Sequence, residues 1–282
     1  MKKLVFVLVT VGLISCKKTN QGEQPLPSET LPDISYGSDA AQKMDIYLPA
    51  GRSIDSTTLM ILVHGGGWNT GDKSDFTSNL PSLRLKFPNY AIANINYRLA
   101  TTTANHFPTQ ENDMKSAVDY LIQKSTDYRI SQKIVLVGAS AGAHMALLQA
   151  YKYASPKIKA VVDFFGPTDM ADLHNFYSSG SEHQNGLQIL MNGSPNTNSF
   201  LYEQSSPINY VTSRSSPTII FHGTMDNVVP IAESIRLSSK LSSFGVVNEI
   251  IRYPNVGHEV WSLQIMNESF TRIETFLKAN VQ

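Results

Sequence analysis

Short, largely apolar runs recur along the chain at 58–63, 90–97, 133–137, 158–165 and 217–221, and 248–253 reads as a last, more polar strand. Runs this short and continuous read as strands buried on both faces, the mark of a parallel sheet. Between them apolar residues fall three and four apart at 75–87, 107–122, 145–150, 231–241 and 263–277, which predicts helices. In the second of these Met114, Ala117, Val118, Leu121 and Ile122 share one face. Asp113 and Asp119 fall among its polar positions, and Asp113 is also a candidate partner for Arg98. The alternation of strand and helix predicts an α/β fold, a mostly parallel central sheet with helices on both faces. Ahead of it, segments 34–37 and 42–49 alternate in part between polar and apolar, which predicts an antiparallel edge. From 170 to 216 the periodicity loosens and Ser, Asn, Gly and His become frequent, which predicts a helical and loop insertion over the site.

The N-terminus follows a different pattern. Lys2 and Lys3 precede an uncharged apolar stretch from 4 to 14, too short to span a bilayer as a mature helix, so 1–15 reads as a secretory signal peptide. It ends in Leu13-Ile14-Ser15-Cys16, which resembles a bacterial lipobox and makes Cys16 the expected lipidation site. Cys16 is the single cysteine of the chain, so no internal disulfide can form. Residues 16–33 are polar and carry Pro25, Pro27 and Pro32, and they read as a flexible, lipid-anchored tether. That leaves 34–282 as one domain, with no repeat or linker to divide it. The expected location is that of an exported, membrane-anchored bacterial lipoprotein, periplasmic or at the cell surface. The 23 Lys and Arg balance 23 Asp and Glu, so nucleic acid is not an expected partner.

The chemistry centres on Gly138-Ala139-Ser140-Ala141-Gly142, which follows a strand-like run and opens a helix. A serine lifted clear of the backbone on such a turn crowds the positions two before and two after it, where only small residues fit. Upstream, the run at 58–63 leads into His64-Gly65-Gly66-Gly67-Trp68. Consecutive glycines permit close approach to the backbone, and the N–H groups of Gly66, Gly67 and Ala141 are candidates for an oxyanion hole. A serine hydroxyl needs a base and a carboxylate that orients the base. Asp226 and His258 both fall just past predicted strands, where sites of open α/β sheets collect. The remaining histidines, His64, His106, His144, His174, His183 and His222, precede the acid or lie in polar stretches. Asp163 and Asp169 are runners-up for the acid. No His pair has the spacing that zinc ligands favour, so neither a metal nor a cofactor is expected.

Taken as a set, His64 to Trp68, Gly71-Asp72-Lys73, Asn96-Tyr97-Arg98-Leu99, Gly138 to Gly142 and the Asp226 and His258 segments resemble α/β-hydrolase esterases. These include hormone-sensitive-lipase-like carboxylesterases and bacterial acetyl and feruloyl esterases. The resemblance covers about residues 36 to 280. It implies an α/β-hydrolase fold and ester hydrolysis through an acyl-enzyme, with Ser140 as nucleophile, His258 as general base then acid, and Asp226 as orienting carboxylate. One departure is Ala139, where the hormone-sensitive-lipase group carries an acidic residue, and the 36–47 segment is closer to the bacterial acetyl and feruloyl esterases. Kynurenine formamidases, prolyl-oligopeptidase-type peptidases, a lipase-like hydrolase and a non-catalytic surface-binding module on the same fold are the alternatives. The expected partner is a small-molecule or oligosaccharide ester, with Trp68, Phe176 and Tyr177 as candidate stacking surfaces above Ser140.

Overall fold

The computed structural model describes residues 25–155, 158–258 and 261–281. The signal peptide, Cys16 and the tether up to residue 24 lie outside the described residues. An eight-stranded sheet forms from β1 (Glu29–Ser35), β2 (Lys43–Leu48), β3 (Thr58–Val63), β4 (Tyr90–Ile95), β5 (Ile134–Ala139), β6 (Ile158–Phe164), β7 (Thr218–Gly223) and β8 (Asn248–Tyr253). Its order is β1-β2-β4-β3-β5-β6-β7-β8, antiparallel at the β1 and β2 edge and parallel from β4 to β8.

The expected boundary between tether and domain at 33/34 shifts. β1 begins at Glu29, pairing Glu29 with Leu48 and Thr30 with Tyr47. This strand buries almost no side chain and is held by its backbone ladder, so no apolar pattern announces it. Pro32 is tolerated because the strand is at the sheet edge and the register shifts between Leu31 and Ile34.

Because strand side chains alternate, β3 sends Leu59, Ile61 and Val63 into one core and Met60 and Leu62 into the other. The first core is closed by α2 (Thr109–Gln123), α4 (Ala141–Lys152) and α8 (Ala232–Ser243), and the second by α1 (Leu80–Lys86) and α9 (Leu263–Asn280). A short α3 (Ser125–Tyr128) follows α2. Residues 75–87 do not form one helix. Asp72 caps a 3-10 turn at Lys73–Phe76, and α1 starts afresh with Pro81 in its first turn, where the missing N–H costs no helical bond. The polar positions of α2 are not all solvated. Asp113 is buried and accepts hydrogen bonds from Arg98 Nε, Arg98 Nη2 and Gln42 Nε2, tying the β2 edge and the chain after β4 to this helix.

The insertion consists of α5 (Met170–Phe176), α6 (Glu182–Leu190), α7 (Ser199–Gln204) and a 3-10 turn at Pro207–Tyr210. It is fastened at several points. Glu233 of α8 accepts the N–H groups of Thr168 and Asp169 at 2.8 and 2.7 Å, Ser206 Oγ accepts that of Met170 at 2.9 Å, and Phe107 N–H donates to Leu190 O at 2.8 Å.

Candidate active site

Ser140 stands between β5 and α4 with φ 52° and ψ −120°, a strained conformation for a residue with a side chain. The packing that fixes it explains both flanking glycines. A Cβ at Gly138 would lie 2.4 Å from Ala143 N, and one at Gly142 would lie 2.0 Å from Val63 O. Strand β3 therefore presses directly against the start of α4, and the loop after β3 is brought beside the serine.

That loop is held by its carbonyls. Gly66 O accepts from Asn69 N, Thr70 N and Thr70 Oγ1, while Tyr97 Oη donates to His64 O and Gly65 O at 3.1 Å each. Gly66 (φ 98°) and Gly67 (φ 56°) both adopt the left-handed region that glycine permits. Among the described residues, the N–H groups of Gly66, Gly67 and Ala141 donate to no other group of the chain. His64 stacks on Tyr97 at 4.3 Å and donates from Nδ1 to Gly65 O, and burial pushes its pKa down, so it is a neutral support of the loop.

The loops after β7 and β8 bring the other two residues to the serine. His258 Nε2 lies 3.0 Å from Ser140 Oγ, and His258 Nδ1 lies 2.7 Å from Asp226 Oδ2. Asp226 Oδ1 accepts the N–H groups of Val228 and Val229 at 2.9 and 2.8 Å. Burial alone would raise the Asp226 pKa. Hydrogen bonds from His222 and His258, with the Val229 N–H, override it and hold the carboxyl well below the usual range. Asp226 thus stays ionised and keeps a proton on His258 Nδ1, leaving Nε2 free to accept one from Ser140.

Sequence reasoning missed what His222 and His144 do. His222 Nε2 donates to Val229 O at 2.9 Å and faces Asp226 Oδ2, while Ser234 bonds its Nδ1 at 2.7 Å. His144, one turn into α4, donates from Nε2 to Ser205 O at 2.7 Å and accepts the Trp68 indole N–H at Nδ1. Burial lowers its pKa to about 4, so it stays neutral and joins the serine's helix to the insertion. No local pattern signals these partners, which are distant in sequence.

A cavity of about 530 Å³ opens over Ser140, bordered by the glycine loop, Asn69, Thr70, Tyr177, Glu182 and His183. Tyr177 stacks on His183, with ring centroids 5.3 Å apart. Trp68 also borders this cavity, but it is only 6% exposed and its indole is committed to His144, which leaves little face for a ligand. Phe176 is exposed and does not line the cavity. Asp169, a runner-up for the acid, instead caps α5 by accepting Ala171 and Asp172 N–H groups.

The class defined by this sheet order and by a serine on a strained turn between strand and helix is the α/β-hydrolase fold. Within it the chain belongs to the BD-FAE family, whose model matches residues 44–241. It is 27% identical over 247 residues to Esterase LipQ of Mycobacterium tuberculosis, an alignment covering 80% of this chain and 56% of that protein. The chain thus spans little more than half the length of this curated relative. Among solved structures it is similar to a truncated form of a carbohydrate esterase from gut microbiota, with TM-score 0.74 and 24% identity over 90% of this chain and 99% of that one. It is also similar to a bifunctional GH43-CE of Bacteroides eggerthii, with TM-score 0.73 and 27% identity over 86% of this chain and 38% of that one.

Proposed function

We propose that the protein is a serine carboxylic ester hydrolase that acts through an acyl-enzyme and removes short acyl or feruloyl groups from carbohydrates. The observation that carries this reading is the hydrogen-bond chain from Ser140 Oγ through His258 to Asp226, beside N–H groups that serve no other acceptor among the described residues. Ser140 Oγ attacks the ester carbonyl as His258 Nε2 takes its proton. The Gly66, Gly67 and Ala141 N–H groups receive the oxyanion, and His258 returns the proton to the leaving alcohol. Water then repeats the sequence on the acyl-enzyme. Asn69, Thr70, Glu182 and His183 on the otherwise largely apolar wall of the cavity over Ser140 can hydrogen-bond an alcohol rich in hydroxyls, and the carbohydrate esterases among the structural neighbours support the same substrate class.

The test is labelling by a fluorophosphonate, followed by a panel of acetylated xylan fragments, methyl ferulate, long-chain p-nitrophenyl esters and N-formylkynurenine. Labelling lost in Ser140→Ala, with release of acetate or ferulate, is the expected result. Absence of labelling would favour a binding module, turnover confined to long chains a lipase, and turnover confined to the formyl amide a formamidase. In the same reading Cys16 anchors the exported protein in a membrane, so Cys16→Ser should move it to the soluble fraction. Retention of that variant on membranes after a high-salt wash would reject the anchor.

A further inference from the structure

The nucleophile and the starts of the parallel strands lie at opposite edges of the sheet. Thr58 pairs with Tyr90 where β3 and β4 begin, and Val63 pairs with Gly138 where β3 and β5 run out toward Ser140. The six residues of β3 separate the two edges by roughly 20 Å. β2 runs antiparallel to β4, with Tyr47 opposite Ile92, so its end at Leu48 reaches the edge of the strand starts, where Glu29 of β1 pairs with Leu48. The chain that comes from Cys16 therefore enters the fold at the edge away from Ser140.

That entry point is fixed in place. Leu26 O accepts the Gly51 N–H at 2.8 Å, and Arg52 donates to Pro27 O and pairs with Glu29 at 3.0 Å. The span from Cys16 to Pro25 reaches about 30 Å at full extension, so a lipid on Cys16 would hold the entry edge within that distance of a bilayer.

Two grooves, of about 540 and 410 Å³, open on the same edge and share Leu85, Phe87, Pro88 and Tyr90, where α1 leads into β4. Ser28 borders the smaller one, so the incoming chain passes beside this patch. Leu85 is 82% exposed, and Pro81 and Pro88 are exposed beside it. The charge around these apolar residues is one-sided. Among the described residues Arg84, Lys86 and Lys278 border the grooves against one carboxylate, Glu274, which pairs with both lysines and leaves Arg84 without a carboxylate partner. Lys17 and Lys18, directly after Cys16, carry two further positive charges. An exposed apolar side chain ringed by cations suits the surface of a bilayer with anionic headgroups, where the apolar group enters the interface and the cations meet phosphates.

We infer that this edge, Leu85 with Arg84, Lys86 and Lys278, is the face the protein turns to the membrane, resting on anionic lipid headgroups with Ser140 pointing away from the bilayer. The inference rests on the reading of Cys16 as lipidated and deepens it by assigning the surface that the anchor brings to the lipid. An ester then reaches the site from the aqueous side.

The experiment uses the full lipidated chain in vesicles of phosphatidylcholine and phosphatidylglycerol that contain a headgroup-nitroxide lipid. Because Cys16 is the single cysteine, an added cysteine is the one free thiol of the acylated protein and takes a fluorophore. Labels on Leu85→Cys and on Asn89→Cys, an exposed residue of the same patch, are compared with a label on Phe176→Cys, exposed on the insertion next to the Tyr177 that lines the cavity over Ser140. Quenching by the nitroxide lipid is expected at 85 and 89 and not at 176. Arg84→Glu with Lys278→Glu, or vesicles of phosphatidylcholine alone, should lower the quenching at 89 by about threefold or more. Equal quenching at the three sites, or quenching greatest at 176, would overturn the inference while leaving the anchor intact. If the protein stays in the soluble fraction, the anchor reading is what fails. The labelled full chain is then mixed with the same vesicles, where quenching confined to 85 and 89 supports the surface and no quenching rejects it. A dimer in sedimentation that Leu85→Glu separates would give the patch to a second copy and overturn the assignment.

Discussion

His222 lies 3.3 Å from the carboxylate of Asp226, fully buried, with its other ring nitrogen bonded to Ser234. It therefore supports the acid, while His258 uses that acid. His222→Phe removes this support, but the Val228 and Val229 N–H groups still hold Asp226 Oδ1. The expected outcome in steady-state kinetics is a fall in kcat of about tenfold with KM little changed. His222→Gln, which retains an amide donor, should recover part of the loss.

Ser140→Ala and His258→Ala should each reduce turnover by roughly 10⁴-fold or more, and Asp226→Asn by the same amount or less. Asp169→Asn should stay near the wild-type rate, because Asp169 caps α5 and touches neither His258 nor Ser140. Rates on p-nitrophenyl acetate check all four. A severe loss in Asp169→Asn with a mild one in Asp226→Asn would reassign the acid.

In the glycine loop, a Cβ at Gly66 would sit 2.3 Å from Thr70 O, whereas one at Gly67 meets nothing closer than Asn69 Oδ1 at 3.5 Å. Gly66→Ala must displace the loop and should lower kcat by about 10²-fold, the scale of losing one oxyanion donor. Gly67→Ala keeps its N–H in place at a left-handed backbone cost of about 1 kcal/mol and should be the milder change. Because these donors act on charge that develops in the transition state, the loss should appear in kcat. An effect confined to KM would argue against the oxyanion assignment.

Asp163 of β6 is buried, its Oδ1 accepting Gly166 N–H at 2.7 Å and its Oδ2 having no partner among the described residues. Burial pushes its pKa up to about 7, against the pull of the Gly166 bond and of His222. Below about pH 4 both folded and unfolded chains hold this proton. As pH rises from there to about 7 only the unfolded chain releases it, so the folded state loses stability progressively across that window. Asp163→Asn removes the effect. Urea unfolding at about pH 5 and about pH 8 should show the variant gaining on wild type by roughly 3 kcal/mol between the two conditions. A pH-independent difference would contradict the assignment.

The order of strands and helices was legible because continuous apolar runs and helical spacing survive in the sequence wherever an element is buried. The approach of Ser140, Asp226 and His258 was legible for a topological reason, since loops after parallel strands open on one edge of the sheet. Features held by backbone pairing or by distant partners were not. Strand β1 is exposed and its pairing leaves no apolar signature. For Asp113 the pairing with Arg98 was one of two readings beside a solvated face, and its other partner, Gln42, comes from a distant part of the chain with no signal to reveal it. Trp68 looked like a ligand surface because nothing nearby reveals that His144 takes its N–H.

The fastening of the insertion to Glu233, Phe107 and His144 makes it a fixed roof over Ser140. A roof that does not swing cannot gate the reaction by opening and closing, so entry and exit should not wait on a movement of this segment. What enters is then decided by shape and polarity, and exchanging rim residues such as Tyr177 and His183 would change which alcohols are accepted without changing the pace of the chemistry.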